Sequence, residues 1–268
     1  MTTVHDVVKS VESIYPTRFA MRDDRIGLMV GSASRVVRSL VVALDPDVPA
    51  VDAARKEGAD LIVSHHPIWW KAPKTLLAHE ASGRGAIAAA ACGISVIAAH
   101  TNADFAPGGL CDALCSMLGV VDPVPLVLDG EALVGRSGAV KKPIPAAQWL
   151  QSLRRRFGPG VRSCGLPPRN ISRIAVCSGS GSDLLGAAFA SGTDALVTGD
   201  VKYHAARDAE ELARSRRAEV GATGGFLLVD AGHFATERIF VPRTVKKLKA
   251  LLPGVKVRGF LEKEPFRR

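Results

Sequence analysis

Apolar positions recur along the chain with two different periods. Val4, Val7, Val11 and Ile14 stand three or four residues apart, the spacing of one helix face, so Val4–Ile14 is predicted to be an amphipathic helix. Short, nearly continuous apolar or β-branched runs read instead as buried strands at 36–44, 61–63, 94–99, 133–140, 173–177, 195–198 and 226–229. Helical segments fall between them at 51–58, 80–92, 111–118 and 145–156, with Gly93 and Gly119 placed to end two of these helices. This alternation predicts an α/β fold with a mostly parallel sheet.

Three of the predicted strands run directly into polar residues of one chemical kind. Leu61-Ile62-Val63-Ser64 is followed by His65-His66-Pro67, and the 94–99 run by His100-Thr101-Asn102-Ala103-Asp104. The 226–229 run leads into Asp230-Ala231-Gly232-His233, with Glu237 four residues further on. If 233–237 is helical, His233 and Glu237 share a face and can reach one ion or a pair of ions. The carboxyl ends of strands in open α/β sheets are where ligands bind. Neutral imidazole is the commonest protein metal ligand. A single His at a strand end is ordinarily a polar residue meeting solvent, but three such motifs, each after an apolar strand, point to metal. Four of the seven histidines lie in them.

Other features modify this picture only slightly. Ser178-Gly179-Ser180-Gly181-Ser182 reads either as a sterically required turn into a helix or as a cradle of backbone N–H groups for phosphate. Lys202 and His204, alternate residues after the 195–198 strand, can converge on an anion or donate protons, or simply begin a solvated helix. Cys111 and Cys115 share a helix face and read as small core residues rather than soft ligands, and five cysteines with no Cys-x-x-Cys pair make no disulfide framework. The formal charge of +9 is concentrated in Arg154-Arg155-Arg156, Arg207 to Arg217, Lys246 to Lys249 and Arg267-Arg268. Those clusters carry no interleaved aromatics, so they favour acidic small molecules and do not indicate nucleic-acid binding. The N-terminus lacks a secretory signal and the longest apolar stretch, 86–99, is broken by Gly93, so a cytoplasmic protein with no membrane span is expected.

Asp122-Pro123-Val124-Pro125 reads as a break. With ligand-type motifs on both sides of the middle segment, residues 1–125 plus 226–268 are expected to form a metal-binding lobe, and 126–225 an inserted second lobe.

Taken together, the motifs resemble the Nif-three-like family of dinuclear-metal proteins, also called GTP cyclohydrolase 1 type 2 homologues. The matching pieces are Asp24 to Gly31, Gly58 to Pro67, His100 to Asp104, Ser178 to Ser182, Thr198 to His204 and Asp230 to Glu237, in the family's order. Arg25 departs from the asparagine usual in the family's first motif. The resemblance implies two similar α/β lobes, one of them discontinuous in sequence. It implies a paired-metal site from His65, His66, Asp104, His233 and Glu237 with His100 beside it, and a ring-shaped homohexamer.

Five mixed nitrogen and oxygen ligands suit two divalent transition-metal ions (Zn, Mn or Fe) better than Ca or Mg. A carboxylate, Glu237 or Asp104, is expected to bridge them. The function implied is a metal-dependent hydrolase acting on a nucleotide or related phosphorylated small molecule. Lys202 would hold phosphate there, and His100 or His204 would shuttle protons. The alternative is a non-enzymatic homo-oligomer that stores or delivers metal or acts in regulation.

Overall fold

The computed structural model describes residues 1–266, and Arg267-Arg268 of the basic tail lie outside the described residues. Two compact units are present, Met1–Ala106 with Arg238–Arg268, and Pro107–Glu237.

The first unit opens with α1 (Val4–Ile14), capped by a reciprocal pair in which the Asp6 N–H donates to Thr3 Oγ1 and the Thr3 N–H donates to the Asp6 carboxylate. There follow β1 (Gly27–Val30), β2 (Ser39–Ala43), α2 (Val48–Lys56), β3 (Leu61–Ser64), α3 (Ala81–Ala91), β4 (Ser95–Ala98) and α4 (Thr101–Phe105). Every residue of β2, β3 and β4 is buried, which is why these strands read as apolar runs without alternation. Ala50, Val51 and Ala54 of α2 and Ala89 of α3 pack on Val41, Ala43, Ile62 and Val96.

Strands β2, β3 and β4 are parallel neighbours, and β1 closes one edge antiparallel to β4. Their register pairs Ala43 with Ser64 and Ser64 with Ala98. Asp45, His65-His66 and His100 therefore leave the same sheet edge side by side.

The second unit is contiguous. It runs α5 (Leu110–Leu118), β5 (Val120–Asp129), β6 (Ala132–Pro145), α6 (Ala146–Phe157), β7 (Arg162–Leu166), β8 (Asn170–Ser180), α7 (Leu185–Ala190), β9 (Ala195–Gly199), α8 (Tyr203–Val220), β10 (Phe226–Asp230) and α9 (His233–Glu237). Gly119 ends α5 in the left-handed conformation, φ 74°. The six strands lie in the order β5-β6-β8-β9-β10-β7, with β8, β9 and β10 parallel and the others antiparallel. Leu185, Ala188, Ala209 and Ala213 pack on Ala175, Leu196, Phe226 and Leu228. Cys111, Cys115 and Cys177 are buried as well.

Two local expectations change. Residues 122–125 belong to β5. This is an edge strand, where a proline without an N–H is tolerated, and the register slips between Val121 and Val124 to accommodate the pair. The strand predicted at 173–177 continues to Ser180, so Ser178 to Ser180 extend the sheet and the turn begins only at Gly181.

The chain then returns to the first unit with α10 (Phe240–Leu251) and β11 (Lys256–Gly259), which pairs with β2 in parallel. Tyr15 stacks on Phe240 at 6.1 Å and shares a 2.9 Å hydrogen bond with Thr244, fixing α10 beside α1. The compact units divide near 106 and 238, and within the second unit β5 pairs with β6 and β10 with β9 and β7. Among the described residues no helix is long and apolar enough to cross a membrane.

Candidate metal-ligating clusters

In the first unit, the edge formed by β3 and β4 brings His65, His66 and His100 together. One nitrogen from each lies within 4.8 Å of the others. The rings of His65 and His66 are 4.9 Å apart and those of His65 and His100 5.3 Å. His65 is fully buried, and its Nε2 is 3.7 Å from Asp104 Oδ2. Asp104 reaches this position because α4 starts directly after His100, which puts the two residues one helical turn apart, the Asp104 N–H donating to the His100 carbonyl at 3.1 Å.

All three imidazoles are held through Nδ1 by an oxygen. His65 Nδ1 donates to the Ala99 carbonyl at 2.9 Å, His66 Nδ1 to Asp45 Oδ1 at 2.8 Å and His100 Nδ1 to Asp24 Oδ1 at 2.8 Å. An acceptor at Nδ1 fixes the tautomer and leaves Nε2 as the ligating atom, the arrangement that outer partners impose on metal-binding histidines. Burial of Asp24 would raise its carboxyl. The hydrogen bond and charge of His100 and the N–H and hydroxyl of Thr101 outweigh it and hold the group at about 2.

The second unit carries a matching pair. His233 and Glu237 stand one turn apart on α9, with Nε2 and Oε2 at 2.9 Å, and His233 Nδ1 lies 2.7 Å from Asp200 Oδ2. Burial alone would lower the His233 imidazole. Glu237 and then Asp200 overcome it and raise the group to about 9.

Two glycines make room for this pair. A Cβ on Gly179 (φ +58°) would stand 2.0 Å from Glu237 Oε1, and one on Gly199 2.6 Å from the His233 backbone nitrogen. The Gly179 N–H is meanwhile taken by Thr236 Oγ1 at 3.1 Å. The structure thus gives the Ser-Gly-Ser run a steric reason that needs no phosphate.

Lys202 and His204 are exposed at the start of α8, and His204 meets the Tyr203 ring edge-on at 5.4 Å. Lys202 lines a cavity of about 360 Å³ with Arg162, Tyr203 and Asp230. Among the described residues, His204 belongs to no group of metal donors.

Sequence reasoning missed Asp24, Asp45 and Asp200 as partners of the histidines. A usable signal existed for two of them: Asp45 and Asp200 each follow the end of an apolar strand, the context that flagged the histidines.

The model of the family described as Duf34/NIF3 (NGG1p interacting factor 3) matches residues 2–265. The chain belongs to the NIF3 family. It is 30% identical over 255 residues to a protein of Clostridium perfringens named GTP cyclohydrolase 1 type 2 homolog, covering 93% of this chain and 92% of that one. A Streptococcus pneumoniae protein of the same name is 32% identical over 255 residues, with coverages of 92% and 89%. Among solved structures, a Bacillus cereus protein related to NIF3 superposes with a TM-score of 0.85 at 21% identity, covering 100% of this chain and 99% of that one. The NIF3 fold accounts for two sheets with helices in one chain, and the clusters described above are groups that could hold a metal ion.

Proposed function

We propose that the protein holds divalent transition-metal ions (Zn, Mn or Fe), with His65, His66, His100 and Asp104 as the donors of the first unit and His233 and Glu237 as those of the second. The protein would then be a hydrolase of a nucleotide or related phosphorylated small molecule. The observation that carries this reading is the orientation of the histidines: all four direct Nδ1 at an oxygen. The donor set is nitrogen and carboxylate oxygen, which suits transition metals and not an all-oxygen cation site. When bound, the ions supply an activated water and an electrostatic clamp on a developing oxyanion.

The protein's own groups do the rest. Asp24, Asp45, Asp200 and the Ala99 carbonyl hold the imidazoles in register. Glu237, buried to 3% exposure beside His233, and Asp104, at 5% beside His65, are the carboxylates that would hold metal. His100 lies among the donors, which supports a ligand role over that of a proton shuttle. Lys202, beside Arg162, is the candidate contact for phosphate, and His204 the candidate proton carrier.

Metal content per chain, measured in protein purified without chelator alongside Glu237→Ala, tests the reading. About two ions in the wild type, fewer in the variant, and hydrolysis of a nucleotide that disappears with the metal are expected. Absence of metal after incubation with Zn, Mn and Fe(II) would overturn it. Metal uptake with no turnover of any nucleotide would leave storage, delivery or regulation. His204→Ala with full metal and unchanged turnover would remove His204 from the mechanism.

A further inference from the structure

The segment after His66-Pro67 carries two tryptophans for which the metal chemistry has no use. Trp70 is 61% exposed, an unusual state for the largest apolar side chain, and it is not placed at random. Its ring centroid lies 5.1 Å from that of His100, edge-on at 73°, and 5.7 Å from that of His66. Arg25 donates from Nε to the Trp70 carbonyl at 3.1 Å, tying this segment to the residue next to Asp24, which itself holds His100. Trp70 also lines a cavity of about 870 Å³ within the first unit. Its walls are largely apolar, from Pro67, Trp69 and Pro73, and Lys71 and Arg84 stand on the same lining.

We infer that Trp70 is a stacking platform for a planar ring, and that ligands of this site are selected for such a ring beside the donor histidines. The inference rests on the metal-site reading for its catalytic meaning but not for binding. The face of an indole accepts any heteroaromatic ring, and the cations on the cavity wall suit a ligand that also carries negative charge. The acidic residues on the wall, Asp45 and Asp47, set a limit. Asp45 is engaged with His66 and Asp47 accepts from the Ala50 N–H, so the cations are the groups left to meet an anion. The cavity is large enough for a ring and its substituents, where a bare phosphate would leave most of it empty.

Calorimetric titration of the full chain, metal-free and Mn-loaded, separates the possibilities with three probes: guanosine, guanosine monophosphate and ribose 5-phosphate. Both guanine compounds are expected to bind, and ribose 5-phosphate at least about tenfold more weakly than the nucleotide. Trp70→Ala is expected to weaken the guanine compounds about tenfold or more while leaving ribose 5-phosphate and metal content unchanged, and Trp70→Phe to keep most of the affinity. Because Trp70 is exposed, thermal unfolding of both variants should match the wild type. Ribose 5-phosphate binding as tightly as the nucleotide, or guanosine binding unaffected in Trp70→Ala, would overturn the platform. Ring binding that persists in a protein unable to take up metal would sink the hydrolase reading and leave the platform standing. Metal uptake without ring binding would do the reverse.

Discussion

Gly179→Ala is the substitution whose cost the structure predicts most fully. Gly179 has φ +58°, where an alanine costs about 1–2 kcal/mol from the clash of Cβ with its own backbone. The new methyl would also stand 2.0 Å from Glu237 Oε1 and 3.3 Å from His233 Nε2. Glu237 cannot swing into solvent to relieve this: it is 3% exposed on a short helix, and moving it gives up the 2.9 Å contact with His233. Overpacking of this kind adds about 1–3 kcal/mol, so the total is about 2–5 kcal/mol. Gly192→Ala is the control, since its φ is +73° and nothing lies within 4 Å of its added Cβ. It should lose only the backbone part, about 1–2 kcal/mol. Gly186, also with open space, is helical in α7, and its replacement by alanine should stabilise by about 0.4–1 kcal/mol. Urea unfolding of the three variants gives the ranking, and metal content should fall only in Gly179→Ala. Equal losses in Gly179→Ala and Gly192→Ala would refute the claim that the glycine exists to admit Glu237.

Asp24→Asn keeps the shape but removes the charge that orients His100, and should weaken metal binding about 10–100-fold in competition with a chelator. In metal-free protein, His233 is raised from its ordinary 6.5 to about 9, so folding binds a proton. Its contribution to stability should be complete below about pH 6.5 and lost as pH rises through about 9, a slope that urea midpoints across this window detect and that His233→Ala abolishes. Burial pushes the Cys115 thiol to about 12 and the Cys164 thiol to about 11, while Cys92 is exposed. At pH 8, iodoacetamide should therefore label Cys92 at least about tenfold faster than either, as read by mass spectrometry of the peptides. Light scattering on the purified protein should return the mass of six copies if the ring-shaped homohexamer forms.

The elements most legible in the sequence were those whose signal is local. Helix α1 announces itself by Val4, Val7 and Val11, all buried in the structure, and α5 by the glycine that ends it. The strands β2, β3 and β4 are legible because burial on both faces leaves no polar residue to interrupt them. Strand β5 was hidden by Pro123 and Pro125, because what makes them acceptable is its place at the sheet edge, a fact of topology. The candidate donors were visible as His and Glu after strands, whereas the residues that hold them were not. Asp24 meets His100 across 76 residues of chain and Asp200 meets His233 across 33, and a solitary aspartate has no period to betray it. Gly179 looked like turn chemistry because the residue that requires it, Glu237, is 58 positions away in sequence.

The discontinuous unit has a consequence for the order of events during synthesis. Ser39 pairs with Lys256, and the His65 ring rests 5.0 Å from that of Phe240, so the sheet edge at β2 and the apolar wall behind the first cluster both await late-made residues. The contiguous second unit can close as it leaves the ribosome, with α9 and its His233–Glu237 pair already in place. Nascent β2 meanwhile stands as an open strand edge, the state most exposed to wrong partners. A chain released before Phe240 should thus carry a finished second unit and an unsealed first one, and chaperone demand should fall on the strand that waits longest for its neighbour.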